Sequence, residues 1–198
     1  MRSASPLWPT FLAYTVSLWI SDVYASRLTS RSFAFITPHA EYSSSVGVLG
    51  CKVDTNRVAY WPLDVGCDGI CVRVSNEGRS LHLLHIDKSG GFGIQMSYEI
   101  VDTSECRHLL HQGKLPQSAA NSMNYVSSCI SQPTSWVAQN YQLYNINDPV
   151  CKYGVDEKCN LDLTTSNQPR CPSVLGNSLQ IESRVKNVAY GTGEIVPV

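Results

Sequence analysis

Asp87 is the residue of this sequence best placed to do chemistry. It ends an apolar stretch, residues 80–86, and a glycine-rich loop, residues 89–91, follows it. A carboxylate at the end of a strand can act as a general acid or base, or can bind a sugar hydroxyl. An aspartate that only caps a loop by accepting backbone N–H bonds gives the same pattern. Both interpretations stay open at this point.

The histidines do not combine into a metal site. His82 and His85 stand three apart in a predicted strand, so their side chains point to opposite faces. His108 and His111 have the same spacing in a predicted helix, where they can share a face. No third ligand stands at a suitable spacing, so we expect exposed histidines and no metal.

Nucleophile and nucleotide motifs give no better candidate. Ser128 and Cys129 are adjacent, but Cys129 falls on the apolar side of a predicted helix and is better explained as half of a cystine. The sequence contains no Gly-x-Ser-x-Gly elbow. The glycines of residues 91–93 lack the helix that a phosphate loop requires. We therefore predict no catalytic residue beyond the weak candidate Asp87, and no cofactor.

The cysteines indicate an extracellular disulfide framework. Their number is even, and all of them follow an N-terminal segment of signal-peptide type. Zinc clusters usually offer two close cysteine pairs, and here only one Cys-x3-Cys spacing occurs. We expect all eight to pair, with local bonds Cys51–Cys67 or Cys51–Cys71, and Cys151–Cys159 or Cys159–Cys171. The eight residues are Cys51, Cys67, Cys71, Cys106, Cys129, Cys151, Cys159 and Cys171.

The N-terminal segment and the charge define the class of protein. Arg2 precedes an apolar run, residues 7–20, and Val23 and Ala25 occupy the positions that a signal peptidase reads. We predict a signal peptide over residues 1–25, a poorly ordered lead over 26–45 and one domain over 46–198. With 15 basic and 16 acidic residues and no basic run, nucleic acid is not an expected partner. The mature protein is expected to be a secreted monomer that has no membrane segment.

Within the domain, the pattern predicts a β-rich front half, residues 46–101, and a helical, irregular back half, residues 102–198. Residues 70–74 and 80–86 alternate like strands around the turn at 76–78, so they predict a hairpin. Helical spacing predicts short helices over 103–110, 118–130 and 133–140. From Tyr141 onward we expect cystine-tied coil and short strands. The predicted fold class is mainly β with short helices.

Several segments resemble a family of small secreted fungal proteins, mostly uncharacterised. The likeness covers most of the mature chain, including residues 50–62, 70–72, 78–80, 86–91, 115–124, 132–137 and 148–154. In that family the front half looks like a double-psi β-barrel, the fold of barwin and expansins. The resemblance implies that Val58 and Ala59 lie on an early barrel strand. It also implies that Asp87 matches the barrel's first acidic position.

The sequence departs from the family after Gly91. A stretch that would carry a barrel helix and the second acidic residue is missing, through loss in this chain or a skipped exon. We therefore expect an incomplete barrel. Glycoside hydrolysis usually needs two carboxylates at a set spacing, so the missing acid argues against catalysis by Asp87.

Tyr60 and Trp61 are the strongest binding candidates, together with Asp87. Aromatic rings on a barrel face can stack on sugars, as in the wall-binding proteins of the resemblance, although a large ring such as Trp61 is more often buried. The sequence predicts a non-enzymatic extracellular protein, either a wall-polysaccharide binder or a secreted effector acting on a host protein. The alternatives are an expansin-like or lytic wall-active protein using Asp87, and a protease inhibitor or toxin-like protein.

Overall fold

The computed structural model describes residues 32–38, 41–90, 93–183, 185–189 and 192–197. The predicted signal peptide lies outside these residues. The front half, together with residues 32–38, forms a closed five-stranded barrel with the strand order β1-β2-β4-β3-β5. Strands β2 and β4 run parallel, and the other barrel pairs are antiparallel. The strands are β1 (Ser32–Pro38), β2 (Val58–Trp61), β3 (Cys71–Asn76), β4 (Arg79–Lys88) and β5 (Ile94–Ile100).

Strand β1 corrects two expectations. Part of the segment predicted to be a poorly ordered lead is this strand, which pairs with β2 on one side and with β5 on the other. The barrel is therefore closed, and the gap expected from the shortened segment after Gly91 is absent. Residues 32–38 form a barrel strand because their side chains alternate. Ala34 and Ile36 point into the barrel, while Phe33 and Phe35 point out.

The predicted hairpin is confirmed as β3 and β4. Its two strands are in register from Cys71 opposite Leu84 to Asn76 opposite Arg79. The turn residues Glu77 and Gly78 both have positive φ, at 48° and 77°. Two successive residues with positive φ match the turn whose twist suits a two-residue hairpin loop.

Apolar side chains that alternate along the strands fill the barrel. These side chains point inward and have little or no exposure to solvent. The buried ones are Ala34, Ile36, Ala59, Trp61, Val72 and Val74. The opposite face of β4 carries Leu84 and Ile86, both at 0% exposure, into a second and larger core. That core includes residues of the back half such as Leu115 and Ile146, so the two halves pack as one body.

The back half is built on a three-stranded sheet in the order β6-β7-β8. Residues 141–146, where coil and short strands were expected, form its central strand. The helix predicted from residue 118 begins only at Met123, because Ser118 pairs with Tyr144 in the sheet. The elements are β6 (Leu115–Ser118), α1 (Met123–Ile130), α2 (Trp136–Asn140), β7 (Tyr141–Ile146), β8 (Gly154–Cys159), β9 (Lys186–Val188) and β10 (Ile195–Pro197). The helix predicted over 103–110 is a 3-10 helix, Thr103–Leu109.

All eight cysteines are paired, as predicted, but most of the connectivity is long-range. The bonds are Cys51–Cys151, Cys67–Cys129, Cys71–Cys106 and Cys159–Cys171. Cys159–Cys171 confirms one expected local bond, whereas Cys51–Cys67, Cys51–Cys71 and Cys151–Cys159 were wrong. Cys51 and Cys67 bond instead to the loop after β7 and to α1, because the shared core brings those elements against the front half.

None of the helices formed by the described residues is long and apolar enough to cross a membrane.

Candidate functional site

Tyr60 and Asp87, two of the three predicted binding residues, are neighbours. They lie opposite each other on the parallel strands β2 and β4, next to a register shift between Ala59 and Tyr60. Such a shift re-aims the side chains that follow it. The structure therefore brings a phenol and a carboxylate to the same end of the barrel.

A serine that the sequence analysis missed joins them. Ser43 Oγ donates a hydrogen bond to Asp87 Oδ2 over 2.5 Å, and the Tyr60 hydroxyl lies 2.7 Å from the same Oγ. Asp87 Oδ1 accepts a bond from the backbone N–H of Lys88 over 2.8 Å. Both carboxylate oxygens are thus engaged within the chain, and the Asp87 residue is only 8% exposed. This arrangement matches the loop-capping interpretation of Asp87.

Tyr42 is a buried phenol on which the charge of Asp87 acts. Its hydroxyl donates to the Val48 carbonyl over 3.0 Å. Burial raises the pKa of Tyr42 well above its ordinary value, and the negative charge of Asp87 adds to the effect. The phenol therefore stays protonated and acts as a structural donor rather than as an acid.

Trp61, the third predicted binding residue, lies in the core. It is 0% exposed and contacts the rings of Tyr98 and His85, at centroid distances of 5.1 Å and 5.8 Å. Because no face of its ring reaches solvent, it cannot stack on a ligand. Adjacent strand residues point to opposite faces, so Tyr60 is partly exposed while Trp61 fills the barrel.

The two strand histidines follow the predicted geometry. On β4, His82 lies 3.1 Å from Glu105 Oε2, whereas His85 points inward and donates to the Leu63 carbonyl over 3.2 Å. His108 and His111 are exposed, as expected, but they lie in two separate 3-10 helices with the extended residue Leu110 between them, not in one helix. Within the part of the chain that the structure describes, no three ligating residues cluster as a metal site would require.

Acidification is expected to destabilise the protein through His85. Burial lowers the pKa of His85 below its ordinary value, so the unfolded chain binds the proton more readily than the folded one. The free energy of unfolding should therefore fall as pH drops from about 7.5 through about 6.5, the ordinary histidine pKa. Urea unfolding across pH 5 to 7.5 measures this slope.

Two variants test the assignment. His85→Gln should flatten the slope between pH 7.5 and 5, whereas His82→Gln, on the opposite face of the same strand, should leave it in place. An unchanged slope in His85→Gln would assign the pH dependence to another group.

A second candidate site lies where the barrel opens beside the β3–β4 turn. Two adjoining cavities of about 400 Å³ each share Asn76, Glu77 and Met96 in their linings. We call them the barrel-mouth groove. Their other lining residues are Phe33, Val74, Ser75, Arg79, Leu81, Gln95 and Ser97. The groove thus combines an apolar floor with amide, hydroxyl and charged groups, as small-ligand sites usually do.

Two aromatic rings extend from the barrel-mouth groove along β1. Phe33 is 68% exposed and Phe35 is 47% exposed, and the two point outward from alternate positions. Across the strand pair they lie opposite Ser97 and Gln95 of β5. Large exposed rings in a row are unusual for a monomer surface and mark interaction sites. The sequence analysis missed them because it placed residues 26–45 in a disordered lead.

Comparison of the chain with family models, with curated proteins and with solved structures gave no match.

Proposed function

We propose that this chain is a secreted, non-enzymatic module that binds a wall polysaccharide through the barrel-mouth groove and the rings of β1. The observation that carries the proposal is the exposed pair Phe33 and Phe35 beside hydrogen-bonding side chains. Sugar rings present an apolar C–H face, which packs on an aromatic face, and equatorial hydroxyls, which need donors and acceptors. Gln95, opposite Phe35 on β5, can supply both, and Ser97, opposite Phe33, can supply an acceptor because its hydroxyl already donates to the Ser75 carbonyl over 3.0 Å.

The extracellular part of the proposal rests on the four disulfides and on the predicted signal peptide. Disulfides form and persist in oxidising compartments and are rare in the cytosol. The resemblance to secreted barrel proteins of the double-psi type agrees with this location and with a wall ligand. The parallel pairing of β2 with β4 inside an otherwise antiparallel barrel is compatible with that topology.

The non-enzymatic part of the proposal rests on Asp87. A general acid or base must reach the proton that it transfers. Both oxygens of Asp87 already accept hydrogen bonds, from Ser43 and Lys88, and little of the residue is exposed. The barrel-mouth groove contains one carboxylate, Glu77, among its described lining residues. Hydrolysis with two carboxylates is therefore not favoured at either site.

Retention on insoluble chitin, cellulose and β-glucan tests the proposal. We expect the protein to be retained on one of the three, and Phe33→Ser or Phe35→Ser to weaken retention by about fivefold each, corresponding to about 1 kcal/mol per lost ring contact. Because both rings are exposed, thermal stability should change little. Val174→Ser is the matched control, since Val174 is 78% exposed and belongs to the back half.

Three outcomes contradict the proposal. Retention that survives the double substitution of Phe33 and Phe35 would place the binding site elsewhere. Absence of retention on all three polymers would favour an effector or inhibitor that binds a host protein. Polymer hydrolysis that disappears in Asp87→Asn would make the chain an enzyme.

A further inference from the structure

A separate cleft of about 460 Å³ shares none of its lining residues with the barrel-mouth groove. We call it the Lys52 cleft. It lies over β7 and β8, next to the Cys51–Cys151 bond, and its volume is in the range of small-molecule sites. Its polar walls are formed by Lys52, His111, Tyr144, Asp156, Lys158 and Glu182.

Lys52 is an unusually buried cation. Its side chain is 10% exposed, and the Nζ atom lies 4.5 Å from the centre of the Tyr144 ring. A buried ammonium is costly unless a partner of opposite charge offsets the loss of water. Asp156 is that partner, with its Oδ1 and Oδ2 atoms 2.7 Å and 2.9 Å from the same Nζ.

Asp156 is much less constrained than Lys52. Its side chain is 59% exposed, and Lys52 is the one described residue whose hydrogen bond its carboxylate accepts. The cation is thus fixed by burial and by the Tyr144 ring, while its carboxylate partner sits at the solvent side. If the Asp156 side chain rotates into solvent, the carboxylate of a ligand can take its position beside Lys52 Nζ with little change in the protein.

The rest of the cleft suits a carboxylate that carries hydroxyl groups. Lys158 donates to Gln112 Oε1 over 2.9 Å and forms no ion pair with another described residue, so its charge is available. Glu182 and a displaced Asp156 offer acceptors for hydroxyls. Carboxylate acceptors need donors on the ligand, and sugar hydroxyls supply these in number whereas the side chains of an acidic peptide do not.

We propose that the Lys52 cleft binds a uronic acid unit of an acidic sugar, whose carboxylate replaces Asp156 on Lys52. Lys158 supplies the second positive charge, and Glu182 accepts from the sugar hydroxyls. The site is separate from the barrel-mouth groove and does not depend on the function proposed for it. In this arrangement Asp156 is an internal competitor that holds Lys52 in place while the cleft is empty.

Calorimetric titration of the full chain with trigalacturonate tests the proposal, because removing the two partners has opposite effects. Asp156→Asn removes the competing carboxylate, so it should bind trigalacturonate at least fivefold more tightly than the unaltered protein. Lys52→Met keeps the aliphatic packing on Tyr144 but removes the charge, so it should bind at least tenfold more weakly. Raising the salt concentration should weaken binding to the unaltered protein.

Matched controls separate this result from loss of folding and from the barrel-mouth groove. Lys158→Met, at an exposed position, should weaken binding about threefold without lowering thermal stability. The neutral galactose trimer should not bind, and Phe33→Ser should leave trigalacturonate binding unchanged. An acetylated triglutamate peptide that binds as well as trigalacturonate would overturn the assignment to a sugar. No binding to Asp156→Asn, or weaker binding than to the unaltered protein, would overturn the proposal itself.

Discussion

Removal of the Cys51–Cys151 bond is expected to destabilise this protein more than removal of Cys159–Cys171. The first bond closes a loop with a sequence separation of 100 residues and the second a loop of 12. Restriction of the unfolded chain by a 100-residue loop is worth about 4.7 kcal/mol, against about 3 kcal/mol for a loop of about 15 residues. The longer bond also joins the front half to the loop between β7 and β8, so its loss loosens the shared core.

Urea unfolding of two serine-pair variants measures the difference. Cys51→Ser with Cys151→Ser should lose more free energy of unfolding than Cys159→Ser with Cys171→Ser, by about 1 to 2 kcal/mol. Thiol labelling of the denatured, unreduced parent protein should give no adduct, because all eight cysteines are paired. If the Cys51–Cys151 variant lost less free energy of unfolding than the Cys159–Cys171 variant, the long bond would not stabilise the protein by restricting the unfolded chain.

Trp61→Ala should be among the most damaging single substitutions in the barrel. The side chain is fully buried and packs against the rings of Tyr98 and His85. Truncation of a buried tryptophan typically costs about 3 to 5 kcal/mol, since apolar contacts are lost and a cavity remains. Thermal and urea unfolding measure the loss.

The same residue separates packing from ligand binding. Trp61→Phe keeps a ring in the barrel and should cost clearly less stability than Trp61→Ala. It should also retain polysaccharide binding at the level of the parent protein. Loss of binding in a stably folded Trp61→Phe variant would mean that the indole contributes to the ligand site despite its burial.

The sequence predicts the hairpin of β3 and β4 well because both of its signals are local. Alternation over residues 70–74 and 80–86 marks the strands, and Gly78 marks the turn. The strand β1 was missed, whereas β7 lies in a segment for which short strands were expected without bounds. β1 follows a polar stretch rich in serine, threonine and arginine, which masks a short alternating run. The last four residues of β7, from Leu143 to Ile146, are all buried, so both faces are covered there and the strand lacks the alternation that exposure of one face produces.

The sequence identified candidate-site residues only where the pattern of a single strand pointed to them, and it did not predict contacts between distant segments. Asp87 and Tyr60 were identified. Ser43, which links them by hydrogen bonds, lies 44 positions from Asp87 in the sequence, so no local pattern indicates the contact. Whether Tyr60 or Trp61 faces outward follows from strand alternation only once the barrel interior is known. The ion pair of Lys52 with Asp156 joins residues 104 positions apart, and no local pattern signals such a contact.

Closure of the barrel by β1 has a consequence for the order of events during synthesis. Ser32 of β1 pairs with Tyr98 of β5, so the first strand of the barrel to be made must wait for the last one. Pairings this distant in sequence slow folding, because chain entropy is lost before any contact is gained. Until β5 has emerged, the edges of β1 and β3 that pair with it stay open, and a truncated nascent chain presents these strand edges to its neighbours. A chaperone that covers open strand edges would therefore be most useful after β2 has been made and before β5 is complete at Ile100, when this barrel can close.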